Sequence, residues 1–381
     1  MQKPSSGKSS ADLDALTIAR YPAAIGVVWF HFGRAQLPLI PHWLGGFIVS
    51  GYAGVTFFFV LSGFILTYVY HSRELRDPVE LRRFAAHRVA RIYPVYLLAW
   101  ALYGLVSPPH QWIGVLVWGA LSATLLQSWV PNAPPNWNWP GWSLSAEAFF
   151  YACFPALLWA SRGARPKVLW SVLLLLLIAN TVYIELIHEV GNHIILRNTH
   201  LATTARQYLS YLPLLQGLLF AMGVVLGRLF LALRSRLVLS PWVVAALVAA
   251  IVATLSVRVD FYPGERRDML LAPEFCALVL VLANMRVPAG WLTNCGLALG
   301  RASYAVYILQ FPMWILLDRL IHFSAPPIIQ ITGFCVVLTA ISLCVYRFVE
   351  RPAEQFIRAN FSVARQKKQQ APRGPYQGAG L

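Results

Sequence analysis

Ten times between residues 15 and 348 the chain runs through an apolar stretch of helix length: 15–33, 46–70, 91–107, 142–160, 168–187, 207–227, 238–256, 269–286, 296–318 and 327–348. A helix rises about 1.5 Å per residue, so about 20 such residues cross the roughly 30 Å hydrocarbon core of a bilayer. Lipid offers no partner to a backbone amide or carbonyl, which restricts stretches of this kind to helices packed in a bundle. Hydrophobic residues make up 58% of the chain and charged ones only 12%, which argues against a set of soluble domains. The expected fold is all-α, a polytopic membrane helical bundle of about ten transmembrane helices. An eleventh stretch, Gln111 to Val130, is long enough to span but conflicts with the charge pattern, and is expected as a re-entrant or interfacial helix.

Charge sets the expected orientation. Arg73, Arg76, Arg82, Arg83, Arg88 and Arg91 form the densest basic run, and short cytoplasmic loops are where such residues collect. Arg162, Arg165 and Lys167, then Arg228, Arg234 and Arg236, and finally Arg358, Arg365, Lys367, Lys368 and Arg373 belong on the same side. Both termini are then cytoplasmic. The net charge of +16 therefore suits anionic lipid headgroups and a phosphorylated cytosolic ligand, and nucleic acid is not an expected partner. The start MQKPSSGKSSA lacks the apolar core and cleavage site of a signal peptide. The expected division is a polar N-terminal tail at 1–13, one transmembrane unit at 14–355 and a basic, low-complexity tail at 356–381. Five cysteines without CxxC or zinc-ligand spacing point to neither a disulfide framework nor a metal site.

Ionisable residues inside such helices are costly and mark candidate functional sites. Arg20 and His31 are eleven positions apart, which puts them on one helix face within about 20° and roughly 16 Å along the axis. A histidine there can take a proton from a hydroxyl or accept an acyl group itself. Snorkelling of Arg20 to the headgroups, with His31 at the opposite interface, explains the same pattern. In WSLSAEAFFY, Ser143 and Glu147 are stacked four apart, and Glu147 is a candidate to orient the imidazole of His31. Helix capping by Ser143, with Glu147 facing the dipole, is the competing reading. Ser143 and Ser145 are candidates to stabilise an oxyanion, and Trp137, Trp139 and Trp142 to stack on a sugar or to anchor at the interface. Arg88 and Arg91, with Arg83 before them, suit phosphate groups, against simple positive-inside anchoring. On residues alone two functions stand side by side: an acyl-transferring enzyme, and a transporter or exporter with a buried Arg20/His31 pathway.

Six segments in order resemble the membrane-bound acyltransferase 3 family over about residues 12 to 355: Arg20-x10-His31, FFFVLSGF at 57–64, Arg88-x-x-Arg91 followed by IYPVY, WSLSAE at 142–147, SYAVYILQFP at 303–312 and ERP at 350–352. The resemblance implies a ten-helix bundle in the bacterial inner membrane. Such a bundle takes an acyl group from cytosolic acyl-CoA, often acetyl-CoA, and delivers it to a carbohydrate hydroxyl, as in exopolysaccharide or lipopolysaccharide, on the outer side. It implies a catalytic role for Arg20 and His31, supports Glu147 beside them, and assigns donor handling to Arg88 and Arg91. Two departures stand out. Gln310 occupies a position where many relatives carry histidine, and the esterase-like domain that follows in many relatives is not found in the sequence. Transfer is therefore expected to finish within the bundle or on a separate glycan-assembly protein.

Overall fold

The computed structural model describes residues 13–39, 42–108, 111–133, 136–191, 199–233, 241–256, 264–321, 326–357 and 359. Among the described residues every regular element is helical. The elements are α1 (Asp14–Phe32), α2 (His42–Val49), α3 (Ala53–Tyr70), α4 (Pro78–Val106), α5 (Trp112–Ala123), α6 (Gly141–Ala160) and α7 (Pro166–Gly191). They continue with α8 (Thr199–Tyr211), α9 (Pro213–Leu233), α10 (Pro241–Ser256), α11 (Gly264–Asn284), α12 (Trp291–Ile321) and α13 (Pro327–Val345). Residues 1–12 of the expected N-terminal tail, nearly all of the expected C-terminal tail, Arg234, Arg236 and residues 257–263 lie outside the described residues.

Among the described residues each of the ten apolar stretches coincides with one helix or with parts of two, and six helical segments are long and apolar enough to cross a membrane by length and composition. The chain is thus a multi-pass membrane protein. The six leave out α1 and α12, the helices that carry Arg20, His31, Arg301 and Asp318. α5 has 12 residues, a rise of about 18 Å, which is short of a crossing. Two stretches are divided. The one at 46–70 passes through a 3-10 turn, Ser50–Tyr52, where the Ser50 hydroxyl donates to the Leu255 carbonyl at 3.4 Å. The one at 207–227 is divided between α8 and α9 at Pro213, which has no amide to continue the ladder.

Lipid tails supply no hydrophobic drive between helices, so close packing of small residues does that work. At the α3–α9 crossing a side chain on Gly63 would strike the Phe220 carbonyl, and one on Gly223 the Val60 carbonyl. Gly300 likewise lets α12 lie against the Thr17 carbonyl of α1. That second contact sets Arg20 and His31 beside the segment of α12 that carries Ser303, Tyr304, Tyr307 and Gln310. Aromatic rings fill the interior, with Phe150 stacked on Phe220 at 4.9 Å and Phe84 on Phe154 at 5.5 Å. The outside is apolar as well: Leu105, Leu175 and Val336 are 79%, 64% and 66% exposed, a surface suited to lipid.

The basic ends of several helices are tied together. Arg162 pairs with Glu74, and Arg228 of α9 donates to the Ser161 hydroxyl at 3.1 Å and the Leu158 carbonyl at 2.7 Å. Asp77 caps α4 by accepting from the Val79 amide at 3.3 Å, with Pro78 at the first helical position, where its missing amide costs nothing.

Candidate active site

α1, α3, α4, α6 and α12 enclose a cavity of about 300 Å³ whose charged lining is Arg20, Arg88, Arg91, Glu147 and Glu354. A buried charge costs several kcal/mol unless it is paired, so the partner of each decides what it can do. Arg91 forms an ion pair with Glu350, which is 0% exposed, and lies 3.6 Å from Glu354. A π-helical turn at Tyr346–Glu350 follows α13 and delivers that carboxylate. Arg91 is therefore held by acids. Arg91→Ala would leave Glu350 buried without its cation, at about 3–5 kcal/mol. The expected result is a lower thermal unfolding temperature in detergent, and wild-type stability would contradict this pairing.

Arg88 is held differently. Its guanidinium lies 6.0, 5.8 and 5.6 Å from the ring centres of Tyr70, Phe84 and Tyr151, and its buried Nε makes no hydrogen bond among the described residues. Cation–π attraction stabilises a guanidinium in such a setting without neutralising it. Glu147 accepts from the Tyr151 hydroxyl and from the Ser62 hydroxyl, the latter at 3.3 Å. Arg20 feels the charges of Arg91 and Glu147. Arg91 takes Glu350 as its ion-pair partner with Glu354 close by, and Arg20 and Arg88 form no ion pair among the described residues, although Arg20 also feels Glu354. Three arginines thus meet three carboxylates, and the guanidiniums of Arg20 and Arg88 are the two without an ion-pair partner among the described residues.

His31 stands outside this lining but is connected to it. Its Nδ1 lies 2.8 Å from Gln310 Oε1, while Phe30, Phe311 and Trp139 surround the ring at 5.2, 5.0 and 6.3 Å. Gln310 Nε2 donates to the Tyr307 carbonyl at 2.6 Å. The Tyr307 hydroxyl in turn reaches the Ser143 hydroxyl at 2.8 Å and the Pro140 carbonyl at 3.2 Å. Ser143 and Tyr307 line the cavity, so a run of polar groups joins cavity to histidine.

Arg20, Arg88, Arg91, Ser143 and Glu147 are thus brought together. The expected contact between Glu147 and His31 is not made: Glu147 bonds Ser62 and Tyr151, and Gln310 occupies the place beside the imidazole. Glu147 lies one turn beyond Ser143, and Ser143 is already the residue of α6 that meets Tyr307. Arg83 is not among the cavity residues and pairs with Glu80 at 3.0 Å. Five residues before Arg88 it points about 140° away around the helix. Ser145 donates to the Leu125 carbonyl at 2.6 Å, and Trp142 packs against Phe59 and Tyr211 at 5.9 and 5.0 Å. Trp137 is buried and stacked on Trp100 at 5.5 Å, closed to a sugar, whereas Trp139 beside His31 is 36% exposed. Ser143 does not cap α6 by accepting a backbone amide; its hydroxyl donates to the Pro140 carbonyl at 3.0 Å.

Tyr151, Tyr307 and Glu350 were missed as members of the site. Tyr151 had a signal, the four-residue spacing from Glu147 that stacks the two on one face. Tyr307 had another, since it and Gln310 are three apart in an otherwise apolar run.

The profile of the acyltransferase 3 family, described as an acyltransferase domain, matches residues 13–347, a range that takes in Arg20, His31, Arg88, Glu147 and Gln310. Over 171 residues the chain is 32% identical to the acyltransferase MdmB of Streptomyces mycarofaciens, covering 42% of each protein. It is 36% identical over 156 residues to the exopolysaccharide production protein ExoZ of Rhizobium meliloti, covering 36% of this chain and 44% of ExoZ. The peptidoglycan O-acetyltransferase OatA of Listeria monocytogenes is 23% identical over 359 residues, 87% of this chain and 54% of OatA. The chain therefore spans about half the length of these relatives or less. No solved structure matches it. The family match runs from the first turn before α1 to the end of α13 and includes the whole cavity apart from Glu354; the chain belongs to the acyltransferase 3 family.

Proposed function

We propose that the protein is an integral membrane O-acyltransferase that moves an acetyl or other short acyl group from cytosolic acyl-CoA to a hydroxyl of an extracytoplasmic carbohydrate. The observation that carries this reading is the polar run Ser143–Tyr307–Gln310–His31, which links an arginine-lined cavity to a histidine of α1. The names of ExoZ and OatA, an exopolysaccharide production protein and a peptidoglycan O-acetyltransferase, support a glycan acceptor. The basic helix ends support ten crossings of the bacterial cytoplasmic membrane with both termini inside.

In this reading the phosphates of CoA are held at the arginine side by the guanidiniums of Arg20 and Arg88, which form no ion pair among the described residues, and the pantetheine arm carries the thioester into the cavity toward Ser143 and Tyr307. The acceptor hydroxyl comes from the side of His31 and Trp139. His31 takes the hydroxyl proton as the oxygen bonds to the thioester carbonyl carbon, and the tetrahedral oxyanion accepts from the Tyr307 or Ser143 hydroxyl. The carbon–sulfur bond then breaks, and the imidazolium returns the proton to the departing sulfur. The products are an O-acyl ester and CoA thiol.

The test is purified protein in lipid, supplied with labelled acetyl-CoA and a panel of bacterial glycans. Ester and free thiol are expected in equal amounts. Folded protein that neither binds nor consumes acyl-CoA would overturn the reading.

A further inference from the structure

We infer that Gln310 is the positioning residue of the site, holding His31 in the neutral form protonated at Nδ1 so that Nε2 is the atom that takes the acceptor's proton. The inference rests on the acyl-transfer reading above for its kinetic consequence, while the tautomer follows from geometry alone.

A glutamine amide has an accepting end and a donating end, and burial forces both to find partners. Gln310 is 0% exposed. One end lies 2.6 Å from the Tyr307 carbonyl oxygen, which can only accept, so that end must be the NH2 group. Turning the amide over would set two acceptor oxygens against each other. The other end, 2.8 Å from His31 Nδ1, is therefore the carbonyl oxygen, and the atom facing it must carry the hydrogen. A neutral imidazole protonated at Nδ1 has its lone pair at Nε2. Which nitrogen serves as base is thus decided by a main-chain carbonyl three residues from the glutamine.

The same geometry sets this site apart from one in which a carboxylate orients the histidine. Glu147 is engaged by Ser62 and Tyr151, and the group at Nδ1 is uncharged. Gln310 fixes direction without supplying a counter-charge. Among the described residues the imidazolium formed during transfer therefore has no adjacent anion to retain it, which suits prompt return of the proton to the sulfur.

The test combines 15N NMR of histidine-labelled protein in lipid nanodiscs with steady-state kinetics. The His31 signals are assigned by their loss in His31→Ala. Wild type should show one neutral form, protonated at Nδ1 and bare at Nε2. Gln310→Leu should show both tautomers, with kcat lowered about 10–100-fold and KM for acetyl-CoA within twofold. In Gln310→Glu the oxygen facing the Tyr307 carbonyl must carry a proton, as the amide nitrogen does, so the buried acid presents its other oxygen as an acceptor to Nδ1 and should retain the single tautomer; a merely structural glutamine predicts no difference in tautomer between the two variants. A wild-type His31 protonated at Nε2, or a tautomer unchanged in Gln310→Leu, would overturn the inference. Because the NMR reading needs no substrate, a correct tautomer in a protein without acyl transfer would refute the proposed function and leave this inference standing.

Discussion

His31→Ala is expected to lower kcat for acyl transfer by about 10²–10⁴-fold, the range a positioned general base contributes. Acyl-CoA affinity should stay within about threefold, because His31 is not among the residues that line the cavity. The ring sits among Phe30, Phe311 and Trp139, so truncation also removes packing. His31→Gln, which keeps most of the volume and no base, separates the two effects and should be as inactive as alanine. Full turnover in either folded variant would place the base elsewhere.

Arg88→Ala is expected to weaken acyl-CoA binding by about 10–100-fold, since a charge-assisted contact to phosphate contributes roughly 1.5–3 kcal/mol and each 1.4 kcal/mol is tenfold. The effect is assigned to Arg88 because aromatic rings hold it without consuming its charge, whereas Glu350 and Glu354 match that of Arg91. Arg88→Lys should restore only part of the affinity, because an ammonium lacks the planar fork that meets phosphate in two places. Isothermal titration or KM for acetyl-CoA reads the change. Affinity unchanged in Arg88→Ala would remove the donor from this part of the cavity.

The bundle was legible in the sequence because lipid leaves an apolar run few options besides a helix, and within the described residues each of the ten runs coincides with one helix or with parts of two. The interruptions were not. Residues 46–70 read as one unbroken helix, and the 3-10 turn at Ser50–Tyr52, where Ser50 meets Leu255 far along the chain, has no local signal. The same limit applies at the site. Arg20 with His31 and Ser143 with Glu147 were visible as pairs because each lies on a single helix, where spacing alone fixes the face. Which helix faces which is a tertiary matter, so the partner of His31 was expected on α6 and is found on α12. Arg88 and Arg91 looked equivalent for the same reason. Only the carboxylates that follow α13 distinguish them, and nothing local to α4 announces those. Gln310 entered the reading as a departure from a family pattern, and its bonds to His31 and Tyr307 turn that departure into an orienting group.

The central claim is that acyl groups pass from a donor on the arginine side of the bundle to an acceptor on the histidine side. Sealed, oriented proteoliposomes holding labelled acetyl-CoA on the side of the basic helix ends, with glycan only on the other, test it most directly. The expected result is labelled O-acyl glycan outside, matched by CoA thiol inside, with His31→Ala vesicles producing neither. Label that reaches the glycan only when donor and acceptor share a compartment, or that crosses equally well in His31→Ala vesicles, would contradict it.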